Sequence, residues 1–309
     1  MPSAVIDLGT NTCNLVIVRT NKDGKQELIY SGSEPVKLGQ GGIDKRIITP
    51  DAMQRGLKAI SNHLNRIQNA GCENVRAIAT SAVRNAQNKD AFLNLIREKT
   101  GLEFEVITGD KEAEYIYKGA KLAVGFQKEK VLILDIGGGS NEFIIGNGRE
   151  IYWKQSFEIG VARIREKFKP KDPISDEEIK QIEAHFDHHL TPLWQAVTEH
   201  PVSTLIGCSG AFDSFVDMLE GLEPESTFRV KTEIAPMDFF SLHHKIVISD
   251  HATRKTMKGL DLVRIEMIVI ASIFVNFVLR KLNIHTIIQS GYALKEGVLA
   301  EMLNTDHLG

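Results

Sequence analysis

The sequence predicts an α/β protein made of two halves of the same design. The chain has 309 residues, a length typical of two domains. Short apolar runs rich in β-branched residues alternate with stretches of helical periodicity. One strand–turn–strand pattern occurs twice. Apolar residues make up 42% and charged residues 25%, the balance of a globular protein with a substantial core.

The repeated pattern carries most of the architectural information. Residues 7–18 read DLGTNTCNLVIV and residues 135–146 read DIGGGSNEFIIG, with three of the twelve aligned positions identical and four conservative. In each copy an apolar strand reaches an Asp, a glycine-containing turn follows, and a second apolar strand begins. We therefore expect two similar halves joined by a hinge near residue 124.

The other elements are expected in the following order. For the first half, the pattern predicts five elements. They are a hairpin of 4–6 with 15–18, a strand over 75–80, a helix over 81–100, a strand over 104–108 and a helix over 110–124. The second half predicts a hairpin of 131–134 with 143–145, helices over 160–169 and 175–199, strands over 203–206 and 286–289, and a last helix over 293–303. The apolar segment 267–279 is shorter than the roughly 20 residues of a membrane span and predicts a buried helix.

Composition excludes several classes of protein. Lys and Arg total 37 against 40 for Asp and Glu, which gives a net charge of −3 and argues against a nucleic-acid binder that relies on a basic surface. Cys13, Cys72 and Cys208 are few and far apart, so neither a disulfide framework nor a cysteine zinc site is expected. The N-terminus does not resemble a signal peptide. These features favour a cytoplasmic protein without membrane or nucleic-acid partners.

The two repeated turns are the first candidate ligand site. Asp7 and Asp135 each lie at a strand end, and the glycines Gly137, Gly138 and Gly139 allow successive N–H groups to converge on an anion. Hydroxyl donors follow in both turns. A carboxylate repels phosphate directly, so the two aspartates suit a hard cation such as Mg²⁺ that bridges to phosphate oxygens. The alternative is a pair of ordinary hairpin turns, in which Asp and Gly are common.

Two further patterns are weaker. Residues 207–210, GCSG, end an apolar run and begin a helical stretch, which is typical of a phosphate-binding turn but also of many strand–helix junctions. Neither a G-x-x-x-x-G-K-[ST] nor a G-x-G-x-x-G motif occurs. His185 and His189 have a metal-compatible spacing, but their polar surroundings favour a solvated helix face, and no metal is assigned to them.

Six motifs in order give the chain a resemblance to the Ppx/GppA family of exopolyphosphatases and guanosine pentaphosphate phosphohydrolases. They are DLGTNT at 7–12, ATSAVRNAQN at 79–88, TGDKEAEYIYKG at 108–119, DIGGGSNEF at 135–143, GCSG at 207–210 and SGYALKEGVLAEML at 290–303. The resemblance implies two actin-like (ribonuclease H-like) domains, 1–124 and 125–309, with a ligand cleft between them. It also allows the last helix, about 293–309, to pack back on the first domain.

The resemblance also implies an activity and site residues. The activity is hydrolysis of a terminal phosphoanhydride of inorganic polyphosphate or guanosine pentaphosphate with Mg²⁺. Glu112 resembles the general base that activates water, Arg84 a phosphate clamp, and Glu142 a metal ligand or a competing base. Asp7 and Asp135 complete the expected metal group. The expected phosphate-binding residues are Thr10, Asn11, Thr12, Gly137, Gly138, Gly139, Ser140, Ser209 and Gly210.

Several positions depart from the family pattern. Ser209-Gly210-Ala211 stands where Gly-Gly-Thr is usual, Arg264-Ile265-Glu266 where Arg-Ala-Asp is common, and Asn14 where a basic residue is frequent. Lys111 and Glu114 also differ from the residues usual on either side of Glu112. These changes leave open a phosphate- or nucleotide-binding sensor with weak or lost hydrolysis. A kinase or chaperone-type ATPase of the same superfamily is a third alternative. A homodimer is a further expectation.

Overall fold

The computed structural model describes residues 2–305 except 23, 127, 225 and 228. The first sheet has five strands: β1 Pro2–Leu8, β2 Thr12–Thr20, β3 Gln26–Pro35, β4 Asn74–Ala79 and β5 Phe104–Val106. Their spatial order is β3-β2-β1-β4-β5. The first three strands form an antiparallel meander, and β4 and β5 continue the sheet parallel to β1.

The second sheet repeats this order with one added strand. Its strands are β6 Val131–Ile136, β7 Asn141–Gly146, β8 Ile151–Phe157, β9 Thr204–Cys208, β10 Lys231–Ile234 and β11 Thr286–Ser290. They lie in the order β10-β11-β9-β6-β7-β8, with β6, β9 and β11 parallel to one another. The three strands β6, β7 and β8 form the second meander. The prediction of two α/β halves of the same design is therefore confirmed.

Twelve α-helices lie in the described part of the chain. In order α1 to α12 they are Pro50–Asn69, Ser81–Arg84, Lys89–Thr100, Gly109–Val124, Val161–Phe168, Asp176–His189, Thr191–Glu199, Gly210–Glu220, Pro236–Ile248, His251–Lys255, Ile268–Leu282 and Leu294–Leu303.

Two helices expected to be continuous are broken. The helix predicted over 81–100 is interrupted between α2 and α3, because the amide of Gln87 donates to Arg46 O and the Asn88 side chain bonds both backbone groups of Ile48. These contacts satisfy polar groups outside the helix. The helix predicted over 175–199 is divided at Leu190, just before Pro192 in the first turn of α7. Proline favours the first turn of a helix, where its missing N–H costs no hydrogen bond, so a new helix begins here.

The two sheets and their helices form five layers. Helices α1 and α3 cover one face of the first sheet, and α5 to α11 cover the far face of the second sheet. Between the sheets lie α4 and α12, whose apolar side chains pack against residues such as Val5 of β1 and Ile133 of β6. The segment 267–279 is a buried helix, as predicted. Within the described residues, no helix combines the length and hydropathy needed to cross a bilayer.

Glycines bring α4 and α12 close together. A Cβ on Gly119 would lie 2.0 Å from the carbonyl oxygen of Ala293, and a Cβ on Gly297 would lie 1.9 Å from that of Tyr115. Helix α12 follows β11 of the second sheet, yet it packs against α4 and β1. This crossing puts the start of α12 at the junction of the two halves.

We expect Gly119→Ala to lower the free energy of unfolding by about 1–3 kcal/mol, because an added methyl group in a closely packed contact must displace backbone. Lys121→Ala, an exposed change on the same helix, is the matched control and should stay within about 0.5 kcal/mol. Urea titration of both variants measures the difference. Equal stability of the two variants would contradict the close helix contact.

Candidate active site

A cavity of about 670 Å³ lies between the two sheets. Its wall contains the turn after β1, the turn after β6, the start of α8 and the start of α12. All but one of the predicted site residues line it: Asp7, Thr10, Asn11, Thr12, Glu112, Asp135, Gly137, Gly138, Gly139, Ser140, Glu142, Ser209 and Gly210. Arg84 is not among the described residues of the wall. The strand ends and helix starts thus bring residues from both halves to one cleft.

The two repeated turns have the same backbone closure. Gly9 N donates to Thr12 O at 2.9 Å, and Gly137 N donates to Ser140 O at 3.0 Å. Each turn places its preceding aspartate at the penultimate position of a strand, β1 or β6. The internal repeat seen in the sequence is therefore a repeat of local structure.

The glycines of the second turn allow the two halves to touch. A Cβ on Gly138 would lie 2.6 Å from Asn11 Nδ2 of the first turn. A Cβ on Gly139 would lie 2.6 Å from the hydroxyl oxygens of both Thr10 and Ser81. Side chains at these two positions would hold the halves apart. The glycine run, interpreted from sequence as an anion-binding turn, is thus also required by the contact between the halves.

Glu112 lies in the first turn of α4, where Thr108 caps the helix by accepting from Lys111 N. Arg84 Nη1 donates to Glu112 Oε2 at 2.7 Å and to Ile107 O at 3.2 Å. Burial, followed by the nearby charge of Glu142, raises the pKa of Glu112 well above its ordinary value, and Arg84 opposes this shift. Arg84 thus binds Glu112 and the backbone next to it through Nη1, and its role as a phosphate clamp stays a prediction.

Glu142 is held by two hydroxyl groups. Ser140 Oγ donates to Glu142 Oε1 at 2.7 Å, and Ser156 Oγ donates to the same oxygen at 2.6 Å. Glu142 is the direct cross-strand partner of Asp135, which puts their side chains on the same face of the sheet. Burial raises the pKa of Glu142, while the two serines and Arg84 oppose the rise.

Asp7 and Asp135 are buried carboxylates at equivalent positions of the repeat. Burial raises the pKa of Asp7 to about 6, although Asn14 Nδ2 donates to its Oδ2 at 3.0 Å and lowers it. Burial, then the charge of Glu142, raises the pKa of Asp135 to about 7. Each shift expresses the cost of keeping a negative charge away from water and near other negative charges.

Comparison with known proteins identifies the family. The family model described as the Ppx/GppA phosphatase family matches residues 16–306. This chain belongs to the Ppx/GppA phosphatase family. The crystal structure of an exopolyphosphatase from Cytophaga hutchinsonii is similar with a TM-score of 0.94 and 36% identity, covering 99% of this chain and 100% of that one. An Aquifex aeolicus family member gives a TM-score of 0.82 and 25% identity, covering 99% of both chains.

Two curated relatives are longer. A guanosine-5'-triphosphate,3'-diphosphate pyrophosphatase of Vibrio cholerae is 29% identical over 303 residues, which are 97% of this chain and 59% of that protein. A bifunctional 3-dehydroquinate synthase/phosphatase of Fusobacterium nucleatum is 38% identical over 172 residues, or 53% of this chain and 26% of that protein. This Ppx/GppA chain thus spans only part of the length of the curated relatives it matches.

The residues of this Ppx/GppA site fit a divalent cation. Asp7 Oδ1 is buried and has no hydrogen-bond partner, and burial raises the pKa values of both Asp7 and Asp135, so a bound cation would offset the cost of keeping these carboxylates ionised. Among the described residues, no three or more His, Cys, Asp or Glu side chains lie close enough together to hold a metal ion by themselves, so the metal role of Asp7, Asp135 and Glu142 stays a prediction. Magnesium usually takes only one or two carboxylates and fills its remaining positions with water and phosphate oxygens.

The His185 and His189 pair behaves as a surface feature of this Ppx/GppA protein. Their rings lie 4.0 Å apart between centroids, and His189 Nδ1 is 2.8 Å from His185 O. Burial, then the nearby His189 and Lys167, lowers the pKa of His185 to about 4. No metal group forms there within the described residues.

Sequence reasoning gave no role to several residues of the cleft. They are Asp213, Asp217, Arg229, Gln289, Lys295 and Glu296. Gln289 Nε2 donates to Asp213 Oδ1 at 2.8 Å, and Arg229 Nη1 donates to Asp217 Oδ1 at 2.7 Å. Lys295 and Glu296 lie within the motif at 290–303, which is the only sequence feature that could have pointed to them. The other four residues come from separate elements that only the sheet order brings together.

Ser209, where the family usually has glycine, has a backbone that normally requires glycine. Its angles are φ 73° and ψ 171°, a region that costs a residue with a Cβ about 1–3 kcal/mol. Its hydroxyl donates to Asp135 Oδ1. The next residue, Gly210, lies against Arg264, whose Nη2 would be 2.3 Å from an added Cβ. In this Ppx/GppA chain, Ser209 therefore has an unfavourable backbone conformation but gains a hydrogen bond to Asp135.

We expect Ser209→Gly to be more stable than Ser209→Ala by about 1–3 kcal/mol. Both variants lose the hydroxyl, so their difference isolates the backbone strain. Urea titrations with equal m values measure it. An alanine variant as stable as the glycine variant would show that position 209 is unstrained.

Proposed function

We propose that this chain hydrolyses the terminal phosphoanhydride of inorganic polyphosphate or guanosine pentaphosphate. The observation that carries the proposal is the buried Glu112 carboxylate, held by Arg84 at the wall of a cleft where two turns with exposed donors meet. The printed names of the relatives, exopolyphosphatase and guanosine-5'-triphosphate,3'-diphosphate pyrophosphatase, support the same substrates. No observation favours the sensor or ATPase alternatives.

The terminal phosphate binds between the two turns. Backbone N–H groups of Gly138 and Gly139 and the hydroxyls of Thr10 and Thr12 are the proposed donors, with Asn11, Gly137, Ser140, Ser209 and Gly210 completing the phosphate-binding set. Asp7 and Asp135 hold a Mg²⁺ ion directly or through water. When bound, this ion neutralises phosphate charge and polarises the phosphorus centre.

Glu112 orients a water molecule toward the terminal phosphorus and takes its proton. The new P–O bond forms from the water oxygen, the bridging P–O bond breaks, and the leaving phosphate carries away the bonding electrons. A carboxylate with a raised pKa is a better proton acceptor than an ordinary one, provided that it is ionised. Arg84 opposes the rise in the pKa of Glu112 and fixes the orientation of its carboxylate, so we assign Arg84 a positioning role.

The two halves are proposed as domains 1–124 and 125–309, with catalysis at their contact. The three cysteines are free thiols, which agrees with a reducing cytoplasm as the site of action.

One assay tests the function: phosphate release from long polyphosphate, guanosine pentaphosphate and ATP in parallel, with and without Mg²⁺. Release from either of the first two substrates supports the proposal. Consumption of ATP alone, or ligand-induced thermal stabilisation without release, would replace it with the ATPase or the sensor.

We expect Glu112→Gln to reduce kcat by at least about 10²-fold, because the water loses its proton acceptor. Glu114→Gln, two residues along the same helix and paired with Lys154 at the surface, is the control and should retain activity within a few-fold. Calorimetry should show that phosphate still binds both variants in Mg²⁺. Unchanged turnover in Glu112→Gln would remove this residue from the mechanism.

We expect Arg84→Met to move the acidic limb of the kcat/KM profile to higher pH. Arg84 lowers the pKa of Glu112, so its loss raises that pKa, and the base becomes ionised only at higher pH. Arg84→Lys keeps a cation and should shift the limb less. A limb that stays in place in Arg84→Met would show that Arg84 does not control the ionisation of the base.

A further inference from the structure

The strand order of the second sheet arranges the polar groups of the cleft in a row. Glu142 is on β7, Asp135 on the neighbouring β6, Ser209 just after β9, and Gln289 on β11. Strands lie about 4.8 Å apart, so the row from β7 to β11 covers about 14 Å. Glu112 lies in the cleft wall within reach of the charge of Glu142. The proposed base is therefore near the Glu142 end of the row, whereas Asp7 faces the cleft from β1 of the other sheet.

Lys295 lies in the cleft wall within reach of Asp213, which is bound to Gln289 at the other end of this row. It is in the first turn of α12, and the charges of Glu296 on α12, Asp213 on α8 and Asp7 on β1 act on its ammonium group. Lys295 Nζ is 2.9 Å from Glu296 Oε1. Asp213 in turn accepts from Gln289 Nε2. Although burial favours the neutral amine, these carboxylates raise the pKa of Lys295, so the group is a fixed cation.

Two neighbours of Lys295 in the cleft wall matter here: Glu296, which holds it in place, and Gln289, which has a buried oxygen without a partner. Glu296 Oε2 accepts from Ala293 N at 2.9 Å, so Glu296 is fixed at the start of α12 and fixes Lys295 in turn. Gln289 Oε1 is buried without a hydrogen-bond partner. About a fifth of the Lys295 side chain, 22%, remains accessible, and the residue is part of the cavity wall. The ammonium group can therefore meet a ligand without leaving its position.

In an in-line phosphoryl transfer, one end of the row would face the attacking water and the other end the leaving oxygen. The attacking water and the leaving oxygen lie on opposite sides of the phosphorus. With water held by Glu112 and the terminal phosphate over Asp7 and Asp135, the leaving oxygen faces away from Glu112. That direction leads along the row to Lys295.

We propose that Lys295 is a catalytic residue that binds the leaving phosphate and stabilises the negative charge that develops on it. This inference rests on the proposed function. As the bridging P–O bond breaks, its electron pair passes to the leaving oxygen, and the ammonium of Lys295 donates a hydrogen bond to that fragment. The water proton stays on Glu112, so Lys295 remains protonated throughout.

The test compares Lys295→Met with Lys295→Arg, which keeps the charge, and with Lys121→Met, an exposed control on α4. Lys295→Met should lose at least about 10²-fold in kcat, the size expected for one group that stabilises a developing charge. Lys295→Arg should recover most of this loss, and Lys121→Met should behave as the parent protein. Thermal melting checks that each variant is folded, and Lys295→Gln replaces the Met variant if that variant is not. Two results would overturn the proposal. One is an unchanged kcat in the folded Lys295→Met or Lys295→Gln variant, and the other is a kcat as low in Lys295→Arg as in that uncharged variant.

Binding provides a readout that a merely structural lysine would not alter. Methylenediphosphonate, which cannot be hydrolysed, represents the leaving fragment, and inorganic phosphate represents the transferred group; calorimetry measures both at fixed free Mg²⁺. Lys295→Met should weaken methylenediphosphonate binding by at least about tenfold, the effect expected when one charge-assisted hydrogen bond is lost. It should leave phosphate binding within twofold. Equal weakening of both ligands, or of neither, overturns the inference. A parent protein that releases no phosphate from any substrate refutes the proposed function, while the selective loss of diphosphonate binding still tests Lys295.

Discussion

The contact between the two repeated turns is the constraint on which the rest of the site depends. Gly138 and Gly139 admit Asn11 and Thr10 of the other half at distances that no Cβ would permit. Asp7, Asp135, Glu112 and Glu142 lie in the wall of the same cleft, and burial is the first cause of each raised pKa. A side chain in the glycine run would displace Asn11, Thr10 and Ser81 beside these carboxylates.

The two copies of the repeat differ at the position that decides the chemistry. Asn14 of the first copy and Glu142 of the second occupy equivalent places, each the cross-strand partner of its aspartate. The amide of Asn14 donates to Asp7 and stabilises its ionised form. The carboxylate of Glu142 instead raises the pKa of Asp135 and of Glu112. Two similar turns thus line an asymmetric cleft, in which Glu112 lies within reach of the charge of Glu142 in the second copy.

Sequence patterns predicted the fold because strands and turns are encoded locally. The repeat at residues 7 and 135 led to the two hairpins, and most strands and helices lie where periodicity put them, although the third strands of the meanders, β3 and β8, were not predicted. The prediction of an unbroken helix over 81–100 was wrong because of distant contacts. The break after Arg84 exists because Asn88 and Gln87 bind the 46–48 segment. Lys295 and Asp213 were missed because strand order, which periodicity does not encode, brings them together.

The charge of the cleft explains why an ion and a polyanion should bind together. Among the described residues of the wall, seven are acidic (Asp7, Glu112, Asp135, Glu142, Asp213, Asp217 and Glu296) and four are basic (Lys37, Arg229, Arg264 and Lys295). In the proposed function, such a surface would repel phosphate in the absence of a cation and would hold that cation more firmly once phosphate is bound. Coupling of this kind is reciprocal, so each ligand strengthens the binding of the other by the same factor. Lys295 adds a positive charge to a wall in which acidic side chains outnumber basic ones.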